Sequence, residues 1–475
     1  MKMKYVIAFV IIVSAALTAC GAKEQSVKVQ ELKTDVPESF AGVSSGYVPD
    51  YSAEWWRVFD DTALDGLIRE MFARNYQLED TYVSLEIKRA GVQSARADRL
   101  PRVTAGAGAS DTSRETGGSR RWQDEYELSA RASWEADIWG RNSSLVSAAG
   151  YDAAYAGMTL RGQYLSLSAE LADRYFLYRY ETERLLKLTS LEKLYEKLVT
   201  ADRNAFRSGL GTLEDVYESE KKLETVRINK ASSESSINSL REEIGLMLAR
   251  RGAELPELPA GWKNVRIPDV PYAIPAEVIA ARADIKAAEY AIYRTDRQLA
   301  SAIADRYPSL SISAAGVYSS DSLSNLIRPE AFALSLVADA LFTVFDGGKK
   351  RTSVTVKELE LDSYILKYRQ TVLTALHDIE KGLFENAYRE KSITELERTA
   401  AKNRSLYELG SLKFRGGLIP LRSLISAEIS MLEQETSLLG AERELVSARI
   451  SLIRALGSGW EEKFIADKEK SGDGK

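Results

Sequence analysis

The chain has 475 residues, 45% hydrophobic and 28% charged, with 64 basic against 69 acidic side chains and a formal net charge of −5. This is the composition of a folded protein, and it excludes the strongly basic balance that nucleic-acid partners demand. One cysteine excludes an intramolecular disulfide framework, and one histidine, His377, leaves a histidine-based metal site or hydrolase triad nothing to work with.

The chain opens MKMKYVIAFVIIVSAALTAC, with Lys2 and Lys4 ahead of an apolar run from Tyr5 to Leu17. That is the layout of a secretory signal, and the run is too short to span a membrane. Leu17-Thr18-Ala19-Cys20 resembles the lipobox of bacterial lipoproteins, in which the cysteine is lipidated and becomes the first residue. An ordinary signal with a chance cysteine is the alternative. Residues 1–19 therefore read as signal peptide and 20–60 as a lipid-anchored N-terminal segment; export leaves 62 basic against 69 acidic residues.

From residue 61 the chain follows one plan twice, at an offset near 207. ARADRLPRV (Ala95 to Val103) answers AIADRYPSL (Ala302 to Leu310), ADIWGR (Ala136 to Arg141) answers TVFDGGK (Thr343 to Lys349), and FRSGLG (Phe206 to Gly211) answers FRGGLI (Phe414 to Ile419). IGLMLA (Ile244 to Ala249) answers LIRALG (Leu452 to Gly457), in the same order. Four ordered matches at one offset mark a duplicated fold.

The first repeat, 61–260, is expected to hold a short helix at about 62–99, a β-hairpin at about 102–139, a long helix at about 141–207, a glycine turn at 208–211 and a return helix at about 212–250. A linker, 261–275, leads to the second repeat, 276–457. There a helix at about 276–306, a hairpin at 307–346, a long helix at 347–415, a turn at 416–419 and a return helix at about 420–457 precede a tail, 458–475. The helix bounds rest on proline, which is excluded from helix interiors and absent between Pro101 and Pro256 and between Pro329 and Pro420. At 1.5 Å per residue each long helix would run roughly 100 Å, which requires side-by-side packing. Their nearly equal lengths place both glycine turns at one depth.

The hairpin segments alternate with period two. Leu310, Ile312, Ala314, Gly316 and Tyr318 share one strand face against Ser311, Ser313 and Ser319, and Phe332, Leu334, Leu336, Ala338, Ala340 and Phe342 share another. In YELSARASWEADIW, Tyr126, Leu128, Ala130, Ala132, Trp134, Ala136 and Ile138 oppose Glu127, Ser129, Arg131 and Asp137, and RVTAGAGAS is a weaker partner. Four strands of about ten residues, flanked by Trp122, Trp139, Tyr307 and Phe345, match membrane-spanning β-strands. For any one strand a soluble sandwich edge is the alternative. Four strands cannot close a barrel, so oligomerisation would have to supply the rest.

With the Cys20 lipobox, EWWRVFDDTALDGLI at Glu54 to Ile68, WEADIWGR, FRSGLGTLEDV, FRGGLIPLRSLISAE and the two-fold repeat, the chain resembles the outer-membrane efflux factor family, the TolC- and OprM-like channels, and more closely its lipoprotein branch. The resemblance covers essentially the whole mature chain. It implies a mainly α fold with a small β-barrel portion: a homotrimer whose four strands per subunit close a twelve-stranded barrel, above long helical hairpins that form a periplasmic tunnel. It further implies an outer-membrane location, a periplasmic adaptor, an inner-membrane pump of the RND type, no cofactor and no enzymatic activity. The alternatives are a type I secretion duct and a structural periplasmic coiled-coil lipoprotein without a pore.

The two turns carry the most local information. Gly209 suits a left-handed position, Thr212 and Asp215 are spaced as a capping box, Gly416 and Gly417 end the second helix, and Pro420 suits the first position of the next. Helix reversal alone accounts for the glycines. It does not account for Phe206, Arg207 and Leu210 recurring as Phe414, Arg415 and Leu418. In the family these tips contact the adaptor, which assigns that role to the two trios together with Gly209, Thr212 and Gly417. Where OprM-like relatives carry a gating aspartate, this chain has Ser426, with Arg422 nearby, while the first repeat offers Glu214, Asp215 and Glu218. Arg422 is therefore expected to pair with one of these acids and help hold the aperture shut; exposed charges of little consequence are the alternative.

Overall fold

The computed structural model describes residues 54–116, 119–255, 257–262, 265–269 and 279–457. The signal, Cys20, most of segment 20–60, part of the linker and the tail lie outside them. The helices are α1 (Thr62–Arg74), α2 (Tyr76–Ala97), α3 (Arg141–Arg207), α4 (Leu213–Met247), α5 (Ala283–Ala304), α6 (Lys349–Arg415) and α7 (Leu421–Leu456). The strands are β1 (Arg102–Thr116), β2 (Ser119–Ala136), β3 (Ser309–Ser320) and β4 (Phe332–Leu341). Among the described residues, one compact unit takes in Ser84–Gly157 and Ala287–Arg369, and a second takes in the rest.

The first unit contains one antiparallel sheet in the order β1-β2-β3-β4. The first hairpin is longer than expected, with strands of 15 and 18 residues. Strand β2 stops at Ala136 rather than running on to Ile138, because Asp137 turns to cap α3: its carboxylate accepts from the backbone N–H groups of Asn142 (2.9 Å) and Ser143 (2.7 Å). Asp346 repeats the device for α6, accepting from the N–H groups of Gly348 and Lys350, both at 2.9 Å. Gly347 and Gly348 have φ of +67° and +88°, so α6 begins at Lys349 and not at 347. Both long helices are then 67 residues. Trp139 stacks on Tyr307 with centroids 4.9 Å apart and donates from Nε1 to the Pro308 carbonyl at 2.7 Å, joining the equivalent crossings of the two repeats. Arg294 of α5 donates to Asp152 (2.8 Å) and to the Tyr364 hydroxyl (2.9 Å), tying α3 and α6 together.

In the second unit the expected helix over 62–99 is two helices. Asn75 leaves the helical region with ψ of 121°. Its N–H still donates to Met71, its Oδ1 accepts from Leu78 N–H (3.0 Å), and its Nδ2 donates to the Met247 carbonyl (2.8 Å). One side chain thus ends α1, starts α2 and satisfies the end of α4. The EWWRVF segment packs Trp55, Trp56 and Phe59 into the core, with Trp55 Nε1 donating to Ser168 Oγ at 2.9 Å. Asp61 caps α1 and accepts from Tyr175 and Arg179 of α3. Leu188, Leu191, Leu198, Leu223, Ile425 and Ile429 belong to one core cluster beneath the two turns.

Candidate functional site: a continuous apolar sheet face and two paired turns

Residues opposite one another in an antiparallel pair point to the same face. The register sets Ala105 against Ala130, Ala130 against Gly316, and Gly316 against Leu334. The next row runs Val103, Ala132, Ala314, Leu336, and Trp134, Ile312 and Ala338 follow. The apolar sets expected strand by strand therefore fall on one face. The other face carries Ser129, Arg131, Ser133, Ser311, Ser313 and Asp339. Large members of the apolar face are exposed in the single chain, Leu334 at 66% and Leu336 at 76%. A contiguous exposed apolar face rimmed by polar residues requires a partner or lipid. Among the described residues no helix is long and apolar enough to cross a membrane.

The second unit brings the two turns together. At the end of α3, Gly209 N–H donates to the Phe206 carbonyl (3.0 Å) and Leu210 N–H to Ala205 (2.8 Å), with Gly209 at φ +70°. At the end of α6, Gly417 N–H donates to Phe414 (2.9 Å) and Leu418 N–H to Lys413 (2.9 Å), with Gly417 at φ +69°. Both are Schellman motifs, which require the glycine and commonly fold the residue after it back onto the helix. Here Leu210 is 86% exposed and Leu418 76%, so neither makes that closing contact. Phe206 is half exposed, Phe414 is more than a third exposed, and Arg207 and Arg415 face solvent.

The helices leaving the turns are capped differently. Thr212 and Asp215 form the full capping box on α4. Pro420 is the N-cap of α7 rather than its first residue, since its ψ of 159° is extended, and it makes no side-chain cap bond. The first turn of α7 contains no acid and does contain Arg422, a cation facing the positive end of a helix dipole. Arg422 reaches across to the first repeat instead: Nη2 lies 2.8 Å from Asp215 Oδ1 and Nε 2.8 Å from Asp202 Oδ1. Glu214, Glu218 and Ser426 are exposed and do not join this cluster.

Asp202 carried no signal in the sequence. It reads as one more charge on a helix, yet its side chain is 1% exposed and its Oδ2 has no hydrogen-bond partner. Burial pushes its carboxyl above the usual range, against the pull of Arg422. Asp215 is held below the usual range by the bonds from the Thr212 hydroxyl and backbone N–H and by Arg422.

A duplicated, mainly helical chain with one small sheet, apolar on one face, and paired long hairpins is the architecture of a bacterial channel-forming outer-membrane protein. The family model described as outer membrane efflux protein matches residues 67–249 and 274–458, two segments that begin at the repeat offset, and the chain belongs to that family. The toluene efflux pump outer membrane protein TtgC of Pseudomonas putida is 24% identical over 434 residues, covering 88% of this chain and 89% of that one. Outer membrane protein OprJ of Pseudomonas aeruginosa is 24% identical over 467 residues, covering 95% and 96%. The open state of the MtrE outer membrane channel of Neisseria gonorrhoeae superposes with a TM-score of 0.81 at 25% identity, over 90% of this chain and 97% of that one. Proteins of this family are passive channels, not enzymes.

Proposed function

We propose that the chain is the exit duct of a tripartite efflux system, passively conducting substrates that an inner-membrane pump of the RND type delivers through a periplasmic adaptor. The carrying observation is the cross-strand register that gathers the apolar residues of all four strands on one exposed face. β1 and β4 each pair on one side only. Four strands cannot enclose a pore, and three copies pairing edge to edge make twelve, which can. The family resemblance favours three copies, a homotrimer with its sheet in the outer membrane and its hairpins extending into the periplasm. Cys20 supplies a lipid anchor, which favours an efflux lipoprotein over a type I secretion duct.

The turn residues Phe206, Arg207, Gly209, Leu210, Thr212, Phe414, Arg415, Gly417 and Leu418 form the adaptor-docking surface. The exposure of Leu210 and Leu418, where a helix-closing contact is usual, supports that role. Arg422 and Asp215 form a latch between the two hairpins, flanked by Glu214, Glu218 and Ser426 at the aperture. Selection among substrates belongs to the pump. Purified protein in planar lipid bilayers is expected to give discrete conductance steps and, in detergent, the mass of three chains. A monomer without conductance overturns the assignment.

A further inference from the structure

We propose that the helix-side end of the sheet is a collar that binds the anionic phospholipid headgroups of the membrane leaflet at that end; this rests on the sheet being embedded in a bilayer. The strands alternate in direction, so all four crossings between helix and strand lie at one end of the sheet: α2 to β1, β2 to α3, α5 to β3 and β4 to α6. The acids there are used internally. Asp137 and Asp346 cap helices, Glu135 pairs with Arg141 at 2.9 Å, and Asp305 pairs with Lys350 at 3.4 Å. Arg99, Arg102, Arg306, Lys349 and Arg351 are exposed, and none has an ion-pair partner among the described residues. Asp98 and Asp339, the latter in the same cross-strand row as Glu135, remain on the acidic side. The collar therefore carries more unpaired cations than unpaired acids.

Beside these cations stand Leu100, Phe342, Val344 and Phe345, with Val344 and Phe345 at 89% and 88% exposure. Bulky apolar side chains interleaved with cations, just where an apolar sheet face ends, fit the boundary between acyl chains and phosphates. A soluble anion would account for the cations and leave the apolar residues unexplained. The hydrocarbon core would do the reverse. At the hairpin end of the sheet the described side chains carry both signs, Asp111, Asp124, Glu125, Asp321 and Glu330 standing with Arg328.

The test uses full-length protein in micelles doped with equal phosphatidylglycerol and phosphatidylcholine of identical acyl chains, the bound lipid being counted by mass spectrometry. Wild type is expected to enrich phosphatidylglycerol, each removed cation lowering the enrichment by about five-fold at low salt. Replacing Arg99, Arg102, Arg306, Lys349 and Arg351 together by Gln should bring the ratio to one, while Lys at the four arginine positions, or Arg328→Gln, should preserve it. Conductance in phosphatidylcholine bilayers separates the two premises. Wild type that inserts and conducts yet binds both lipids equally overturns the collar and leaves the membrane assignment standing. Wild type that inserts into no bilayer overturns both.

Discussion

At the scale of single residues, the cluster of Asp202, Arg422 and Asp215 is asymmetric, and the asymmetry is measurable. Arg422 is half exposed and can be solvated when its partners go, whereas Asp202 is sealed beneath it. Removing Arg422 strands a buried carboxylate, which costs about 1–3 kcal/mol, while removing Asp202 strands nothing comparable. Arg422→Gln is therefore expected to speed amide hydrogen exchange around the end of α3, Asp202→Asn to change it little, and the double variant to recover most of the loss. The pH dependence follows from the two directions. Asp202 binds its proton more tightly in the folded chain than in the unfolded one, so the penalty of ionising it stands above its raised pKa and fades as pH falls through it. Asp215 behaves oppositely: its contribution is present above the ordinary carboxylate range and disappears as pH falls through its depressed pKa. On acidification Asp202 is neutralised first, so protection in Arg422→Gln should rise as the medium is acidified through the window above the ordinary carboxylate range. Arg422 and Asp215 were legible as a pair because they differ in sign at matching turns. Asp202 was not, because its burial is created by α4 and α7 packing over it, which local sequence does not encode.

At the scale of elements, periodicity and proline placement located both long helices, and the alternation located the strands and their faces. The pairing of β2 with β3 was not legible, since the two are joined through a helical hairpin and a linker and carry no turn signal between them. The break at Asn75 was missed for a related reason: Asn is tolerated within helices, and what ends α1 is its bond to the Met247 carbonyl, far along the chain. The register makes a one-residue test possible. Ala314 lies on the apolar face, between Ala132 and Leu336, and its neighbour Ser313 on the opposite face, between Ser133 and Val337. Ala314→Arg is expected to lose about 2–4 kcal/mol in urea titrations of protein folded into vesicles, and Ser313→Arg to lose little. Equal losses would mean that the face does not meet lipid. The turns offer a second test. A Cβ on Gly209 or Gly417 meets nothing within 4 Å, so alanine there is opposed only by the positive φ, about 1 kcal/mol each. Gly382 contrasts with them: a Cβ there comes within 3.0 Å of Leu452, and alanine is opposed by packing between α6 and α7. Exchange at the turn amides distinguishes the two mechanisms, because Gly209→Ala and Gly417→Ala should act only locally.

At the scale of the whole molecule, the duplication sets one hairpin of each repeat beside the other, and the ion pairs of Arg422 cross between them, the proposed latch. Any movement that carries the second hairpin away from the first must break the bonds at 2.8 Å to Asp202 and Asp215. No comparable bond was available by simple repetition, because the first repeat carries Glu214 in the first turn of its return helix where the second carries Arg422. The repeats had to diverge in sign for the latch to exist. Arg422→Glu replaces an attraction with three carboxylates crowded at one point, one of them buried, and should drive the hairpins apart. In planar bilayers this variant is expected to pass more current in its resting state than wild type. Combining it with Asp215→Arg, which restores opposite signs across the same gap, should return the current towards the resting value. Lowering the pH should narrow the difference between Arg422→Glu and wild type, because protonation relieves the crowded acids, Asp202 first. If the resting current of Arg422→Glu equals that of wild type across the pH range, the latch does not restrict the aperture, and the pair serves only to offset the cation at the start of α7.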